Sequence, residues 1–194
     1  LCIIFFISHF LQPTASEDAC IFTNVEYENF IIDLEFKNEK GTSGGVIVYS
    51  TDRVDWIPNS VEVQIADDYY FVEEDWTPNY LCGGVFGHLP PTSKLVKKEG
   101  EWNQMNIRCE GQRITIKLNG EVTADMDMAQ WTSGTKNPDG SEIPPWLPTP
   151  FAELPTKGYI GLQVINTNEQ HIWGVVFPPA GIRTIKQCKG IQVA

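Results

Sequence analysis

Ser60-Val61-Glu62-Val63-Gln64-Ile65-Ala66-Asp67-Asp68 is the stretch that decides the fold class. Val61, Val63 and Ile65 alternate with Glu62 and Gln64. Successive side chains of a β-strand point to opposite faces, so this is a strand with one apolar and one polar side. Val and Ile suit a pleated, half-buried surface. The polar side sets a carboxylate two residues from an amide, and paired aspartates follow at once. Such a pair can grip a hydroxyl or move a proton; it can equally be solvent decoration.

The same pattern recurs on both sides of this segment. Upstream, Ala19 to Thr23 reads as a short strand, and Phe30, Ile32, Leu34 and Phe36 share one face of another, opposite Asp33 and Glu35. Glu39 to Gly45 is turn chemistry, and Val46 to Tyr49 is apolar on both faces, which places it centrally in a sheet. Downstream, Gly83 to His88 reads as a glycine-flanked strand ended by Leu89-Pro90-Pro91. Trp102 to Cys109 and Arg113 to Leu118 alternate across Glu110-Gly111-Gln112, and Asn119-Gly120 turns the second of them into Glu121-Val122-Thr123. Tyr159 to Val164 is a last clear strand, with Ile160, Leu162 and Val164 opposite Tyr159, Gly161 and Gln163. At most one short helix is expected, around Asp125 to Trp131. Two long irregular segments, Asp67 to Gly83 and the proline-rich 129 to 157, read as loops laid over the body. Many short strands with turn signals predict an all-β sandwich with two long loops.

Composition narrows the partners. The net charge of −11 on 194 residues disfavours nucleic acid and anionic membranes, while a neutral or cationic partner is compatible. Cys2, Cys20, Cys82, Cys109 and Cys188 are odd in number and scattered, so neither a zinc site nor a disulfide framework is indicated. Leu1 to Leu11 is an apolar run of export-signal length, too short to span a bilayer as a helix. We read 1–19 as the remnant of an export signal, with an incomplete first strand as the alternative, and 20–190 as one domain. A secreted or periplasmic location is expected, with no transmembrane span.

Six ordered motifs then carry a resemblance. They are Gly41-Thr42-Ser43-Gly44-Gly45-Val46, Val61 to Ile65, Cys82-Gly83-Gly84-Val85-Phe86-Gly87, Gly100-Glu101-Trp102-Asn103, Leu118-Asn119-Gly120 and Gly158 to Gln163. Over residues 20 to 163 the chain resembles the 3-keto-disaccharide hydrolases, also described as 3-keto-glucoside lyase and hydratase domains. The run Asn137 to Pro144 resembles an insertion of one branch of that family. The resemblance implies a concanavalin-like jelly-roll sandwich acting on oxidised glycosides. Family members usually carry Asn-Ser-Gly where this chain has Ser43-Gly44-Gly45. They also have strands before the position of residue 20 and a closing aromatic-Arg-Asn strand. Here Val164 to Ala194 shows only fragments of the latter, Ile172-Trp173 and Ile182 to Lys186, with Pro178-Pro179 between.

The implied chemistry is elimination across C1–C2 of a 3-keto-glycoside, followed by hydration. It needs a base, an enolate stabiliser and an acid for the leaving oxygen. Glu62 is the first candidate acid/base; a sugar-hydroxyl ligand or an exposed strand residue is the plain alternative. Gln64 and Gln163 share the polar sides of their strands and are candidate substrate ligands. His88 is the second catalytic candidate, because its ordinary pKa lies near neutrality. Asp67, Tyr69, Trp76 and Glu142 are further candidate substrate contacts, with Tyr70 beside them as a stacking surface, while Trp102 is expected in the core. No cofactor is expected, although Asp67-Asp68 offers a weak divalent-cation site. The rival function is a non-catalytic, lectin-like sandwich, or an inactive form of the enzyme, using the same residues as ligands only.

Overall fold

The alternation at 61–66 does form a strand, and it lies in one of two packed antiparallel sheets. The computed structural model describes residues 3–5, 19–73, 77–164, 175–176 and 182–187. Its strands are β1 (Ile3–Phe5), β2 (Ala19–Phe22), β3 (Tyr27–Glu28), β4 (Phe30–Asn38), β5 (Ser43–Ser50) and β6 (Val61–Ala66). After a short helix α1 (Asp68–Glu73) come β7 (Asn103–Glu110), β8 (Arg113–Leu118), β9 (Glu121–Asp127), β10 (Lys157–Val164), β11 (Val175–Val176) and β12 (Ile182–Gln187). The larger sheet runs β1-β12-β4-β7-β8-β9, with β11 also on β4; the smaller runs β2-β10-β5-β6, with β3 also on β10.

The inner faces hold the core. Phe30, Ile32, Leu34 and Phe36 of β4, with Ile107, Ile116 and Leu118 beside them, meet Val46, Val48, Val61, Val63, Ile65, Ile160 and Leu162 of the smaller sheet. Complete burial of each such side chain contributes about 1.5–3 kcal/mol. This is the expected jelly-roll β-sandwich. Strand β5 is central, between β10 and β6, as its two-sided apolarity required. Both expected hairpins are present, and Asn119 and Gly120 take the positive φ values, 51° and 95°, of a tight two-residue turn.

Several local expectations are corrected. The turn before β5 is confined to Lys40 and Gly41 (φ 71°), so Ser43-Gly44-Gly45 is already strand. Gly83 to His88 is not a strand: Val85 alone bridges Val63 and Leu89, and the residues after it turn back. Around Asp125 to Trp131, β9 continues to Asp127 and only Met128–Gln130 forms a 3-10 turn. The helix lies instead at Asp68–Glu73, inside the segment read as a loop. The fragment Ile182 to Lys186 forms a strand, Ile182–Gln187, paired with β4 on one side, with a register shift between Ile182 and Thr184, and with β1 on the other, so it adds to the larger sheet. Trp102 is no core residue: it is 40% exposed, with the Lys37 ammonium 5.3 Å from its ring. Cys20, Cys82 and Cys109 are not in disulfides. No helix among the described residues is long and apolar enough to cross a membrane.

Candidate active site on the outer face of the smaller sheet

Cross-strand register puts the polar residues together. Directly opposed residues of paired strands share a face. Gln64 of β6 opposes Gly45 of β5, Gly45 opposes Gln163 of β10, and Gln163 opposes Cys20 of β2. The next row is Glu62, Ile47, Gly161 and Phe22. Because Val61, Val63 and Ile65 fill the core, both rows lie on the outer face.

Two glycines shape the floor. A Cβ at Gly45 would stand 2.6 Å from Glu62 Oε1, so the Glu62 carboxyl bends over Gly45 and into the row that carries both glutamines. A Cβ at Gly161 would stand 2.6 Å from Cys20 Sγ and 2.7 Å from the Phe22 ring. Glycine inside a strand is costly in entropy and marks a place where something must approach closely. Here it lets three side chains, Glu62, Cys20 and Phe22, lean inward over two bare backbone positions.

The face is poor in water. Gln64 and Ile47 are fully buried and Gln163 is 8% exposed, while Glu62, Cys20 and Phe22 are partly exposed at its margin. Burial therefore pushes the Glu62 carboxyl up from 4.5 to about 8. Burial, and then the neighbouring Glu62, push the Cys20 thiol well above its ordinary range, so it stays a neutral S–H. The Gln64 amide donates weakly through Nε2 to Ser43 Oγ at 3.4 Å, and its buried Oε1 has no hydrogen-bond partner. An unpartnered buried acceptor costs about 1–3 kcal/mol, which leaves Gln64 Oε1 open to a hydrogen-bond donor.

The other candidates lie elsewhere. His88 is 2% exposed, stacks on Phe151 with ring centroids 3.9 Å apart, and has Nδ1 2.8 Å from the Phe86 carbonyl oxygen. That acceptor makes Nδ1 the protonated nitrogen, and burial lowers the pKa to about 4. This neutral imidazole is engaged by Phe86 and Phe151, and it is in neither of the two rows that hold Glu62, Gln64 and Gln163. Asp67 is 4% exposed: Oδ2 accepts from Gly41 N at 3.0 Å and Oδ1 from Tyr69 N at 3.2 Å, capping α1 and bracing the preceding turn. Asp68 turns away to accept from Cys82 N at 2.8 Å, and burial raises its pKa to about 6. The two aspartates thus accept from separate backbone groups, while Asp68 Oδ2 is buried without a hydrogen-bond partner. Among the described residues no group of three or more His, Cys, Asp or Glu side chains is placed to hold a metal ion. Tyr69 is half exposed on α1 with Lys98 over its ring. Trp76 lies outside the described residues.

Glu142 is paired with Lys136 and lines a separate cleft of about 590 Å³, between residues 77–90 and 139–146. That cleft adjoins β6. Phe86 N donates to the Glu62 carbonyl at 3.0 Å, and the Phe86 ring meets the ring of Tyr80, a lining residue, at 4.9 Å. Sequence reasoning missed Cys20, Phe22, Tyr80 and Phe86 as neighbours of the site. Cys20 and Phe22 were recoverable, since alternation in β2 puts them on one face; the contact of Tyr80 with Phe86 depends on tertiary packing.

A family model described as the 3-keto-alpha-glucoside-1,2-lyase-like domain matches residues 7–175. A crystal structure of a "putative glycosyl hydrolase" from Parabacteroides distasonis is 57% identical, with 79% of each chain covered and a TM-score of 0.76. A second "putative glycosyl hydrolase" from the same organism is 19% identical over 90% of this chain and 74% of its own, with a TM-score of 0.62. At that identity the likeness bears on the fold alone. A search of curated proteins finds no match.

Proposed function

The chain belongs to the family of 3-keto-alpha-glucoside-1,2-lyase-like domains, and on that premise we propose that it is a carbohydrate-active enzyme that cleaves 3-keto-glycosides by elimination and hydration. The observation that carries the proposal is the Glu62 carboxyl held over Gly45, in the row of Gln64, whose buried Oε1 has no partner.

In this reading the ionised Glu62 takes the C2 proton, which the C3 ketone acidifies. A carboxylate whose proton affinity is raised to about 8 is a stronger base than an ordinary one. The electron pair left at C2 forms C1=C2 as the C1–O bond breaks, and the protonated Glu62 returns its proton to the leaving oxygen. Water then adds across C1=C2, its OH to C1 and a proton to C2. The net change is hydrolysis of the glycosidic bond. One carboxyl serves both transfers because the C2 hydrogen and the C1 oxygen are on adjacent atoms. The amides of Gln64 and Gln163 supply hydrogen bonds to the ketone oxygen as it becomes an enolate, and Gln64 Oε1 accepts from a sugar hydroxyl. The route differs from that of ordinary glycosidases, which set two opposed carboxylates around an oxocarbenium-like transition state.

The test is incubation with 3-keto-trehalose and, separately, with trehalose. Release of sugar from the keto form alone, reduced at least about 100-fold in Glu62→Gln, is the expected outcome. Glycan binding without turnover of either substrate would show the lectin-like alternative instead.

A further inference from the structure

We infer that the cleft between residues 77–90 and 139–146 receives the aglycone, and that the aglycone it takes is flat, uncharged and largely apolar. The inference rests on the catalytic reading above, which leaves the leaving group unidentified.

Three observations carry it. First, the cleft neighbours β6 through Phe86. The Glu62 carbonyl accepts from Phe86 N at 3.0 Å, Phe86 meets Tyr80 ring to ring at 4.9 Å, and Tyr80 lines the cleft. Phe86 and Tyr80 thus place aromatic surface between the strand that bears Glu62 and the cleft that would take the group leaving C1.

Second, the walls are built in advance. Asn137 is 4% exposed and ties the two loops together: it donates to the Gly87 carbonyl at 3.2 Å and accepts from Trp131 Nε1 at 2.9 Å. Gly87 has φ 70°, and a Cβ there would stand 2.8 Å from Leu147 and 3.2 Å from Pro144, so the second loop rests directly on the first. At about 590 Å³ the cleft has the size of a small-molecule site.

Third, the lining chooses the ligand. Pro90, Pro144, Pro145, Tyr80 and Trp146 give rigid apolar surface, and Trp146 is 57% exposed. An indole left in water at the wall of a preformed cleft suits a flat partner stacked on it. The two lining carboxylates are already engaged: Asp139 accepts from Ser141 N and Oγ, at 2.9 and 2.7 Å, and Glu142 pairs with Lys136. Thr77, Asn79 and Ser141 are the other polar side chains of the lining, against a larger apolar surface to which Pro78 and Ile143 add, so a flat apolar group is matched more fully than a second sugar. An anionic aglycone would meet both carboxylates and a net charge of −11.

The test compares phenyl and methyl 3-keto-glucosides of one anomeric configuration. It uses the wild type and Trp146→Ala, an exposed position whose replacement leaves the core intact. Saturation-transfer NMR on the unoxidised phenyl glucoside supplies a readout that does not depend on turnover. The expected result is a roughly tenfold fall in the phenyl-over-methyl ratio of kcat/KM in Trp146→Ala, with loss of saturation transfer to the phenyl protons. An unchanged ratio with saturation transfer retained would overturn the inference, as would a wild-type preference for 3-keto-trehalose over the phenyl substrate. If neither keto substrate is cleaved while phenyl binding is present and lost in Trp146→Ala, the catalytic reading fails and the cleft assignment stands.

Discussion

Glu62 concentrates the testable content at the residue scale. Its folded pKa of about 8 stands above an ordinary value of 4.5 because the protein withdraws water from it. If the ionised form is the base, kcat/KM should rise with pH and level off above about 8; a profile falling over pH 6–9 would exclude that role. Stability should move the opposite way. The folded state keeps the proton up to about pH 8 while the unfolded chain releases it near 4.5, so the stability Glu62 contributes is full below 4.5 and is lost as pH rises through 8. Glu62→Gln should then match the wild type in Tm near pH 4.5 and exceed it above pH 8. The gain at the upper end should be on the order of 3 kcal/mol, after allowance for partial exposure. His88 titrates with the other sign: lowered to about 4, it contributes stability present above 6.5 and lost as pH falls through 4. Its imidazole should remain neutral at pH 5.5 by NMR. Alternation was enough to put Glu62, Gln64 and Gln163 on one outer face, because period 2 fixes which side of a strand a residue takes. It could not place His88, whose environment is made by Phe151, distant in sequence.

Glycines in β5 and β10 set the behaviour of the elements. Gly161→Ala would press its Cβ on the ends of two side chains, Cys20 and Phe22, which can shift, so the protein should fold while the floor of the site is filled. We expect a Tm within a few degrees of the wild type and a rise in KM of tenfold or more in steady-state kinetics. Gly45→Ala is harsher, because the Val63 carbonyl oxygen, 2.7 Å from the added Cβ, is backbone. On the proline-rich loop, Asn137→Ala removes a buried amide that bonds Trp131, Gly87 and Ser141, and denaturant melts should show a loss of about 2–3 kcal/mol. The hairpins were legible because Asn119-Gly120 names its own turn. Helix α1 was not, for its six residues have no repeating apolar stripe and depend on the Asp67 cap. The glycines of 83–87 were misread as strand punctuation, whereas Gly83 (φ 82°) lies against Thr123 and Leu118 and Gly87 (φ 70°) turns against the second loop.

For the whole molecule, the sandwich was legible from the inner-face pattern of β4, β6, β7 and β8. The continuation of the larger sheet was less so. Strand β12 pairs with β4, some 150 residues earlier in the chain, and with β1, and such long-range pairing leaves little trace in a local window. The arrangement serves the proposed chemistry in a simple way. One sheet face is spent on the core, while the opposite face of the smaller sheet withdraws water from a carboxyl beside two amides. The most direct test follows the C2 hydrogen. With 3-keto-trehalose in D2O, sampled early against a control of free 3-keto-glucose, elimination and hydration predict one solvent deuterium at C2 of the released keto sugar per turnover. Released sugar that keeps its original C2 protium would contradict the mechanism, because direct displacement at C1 never opens that bond.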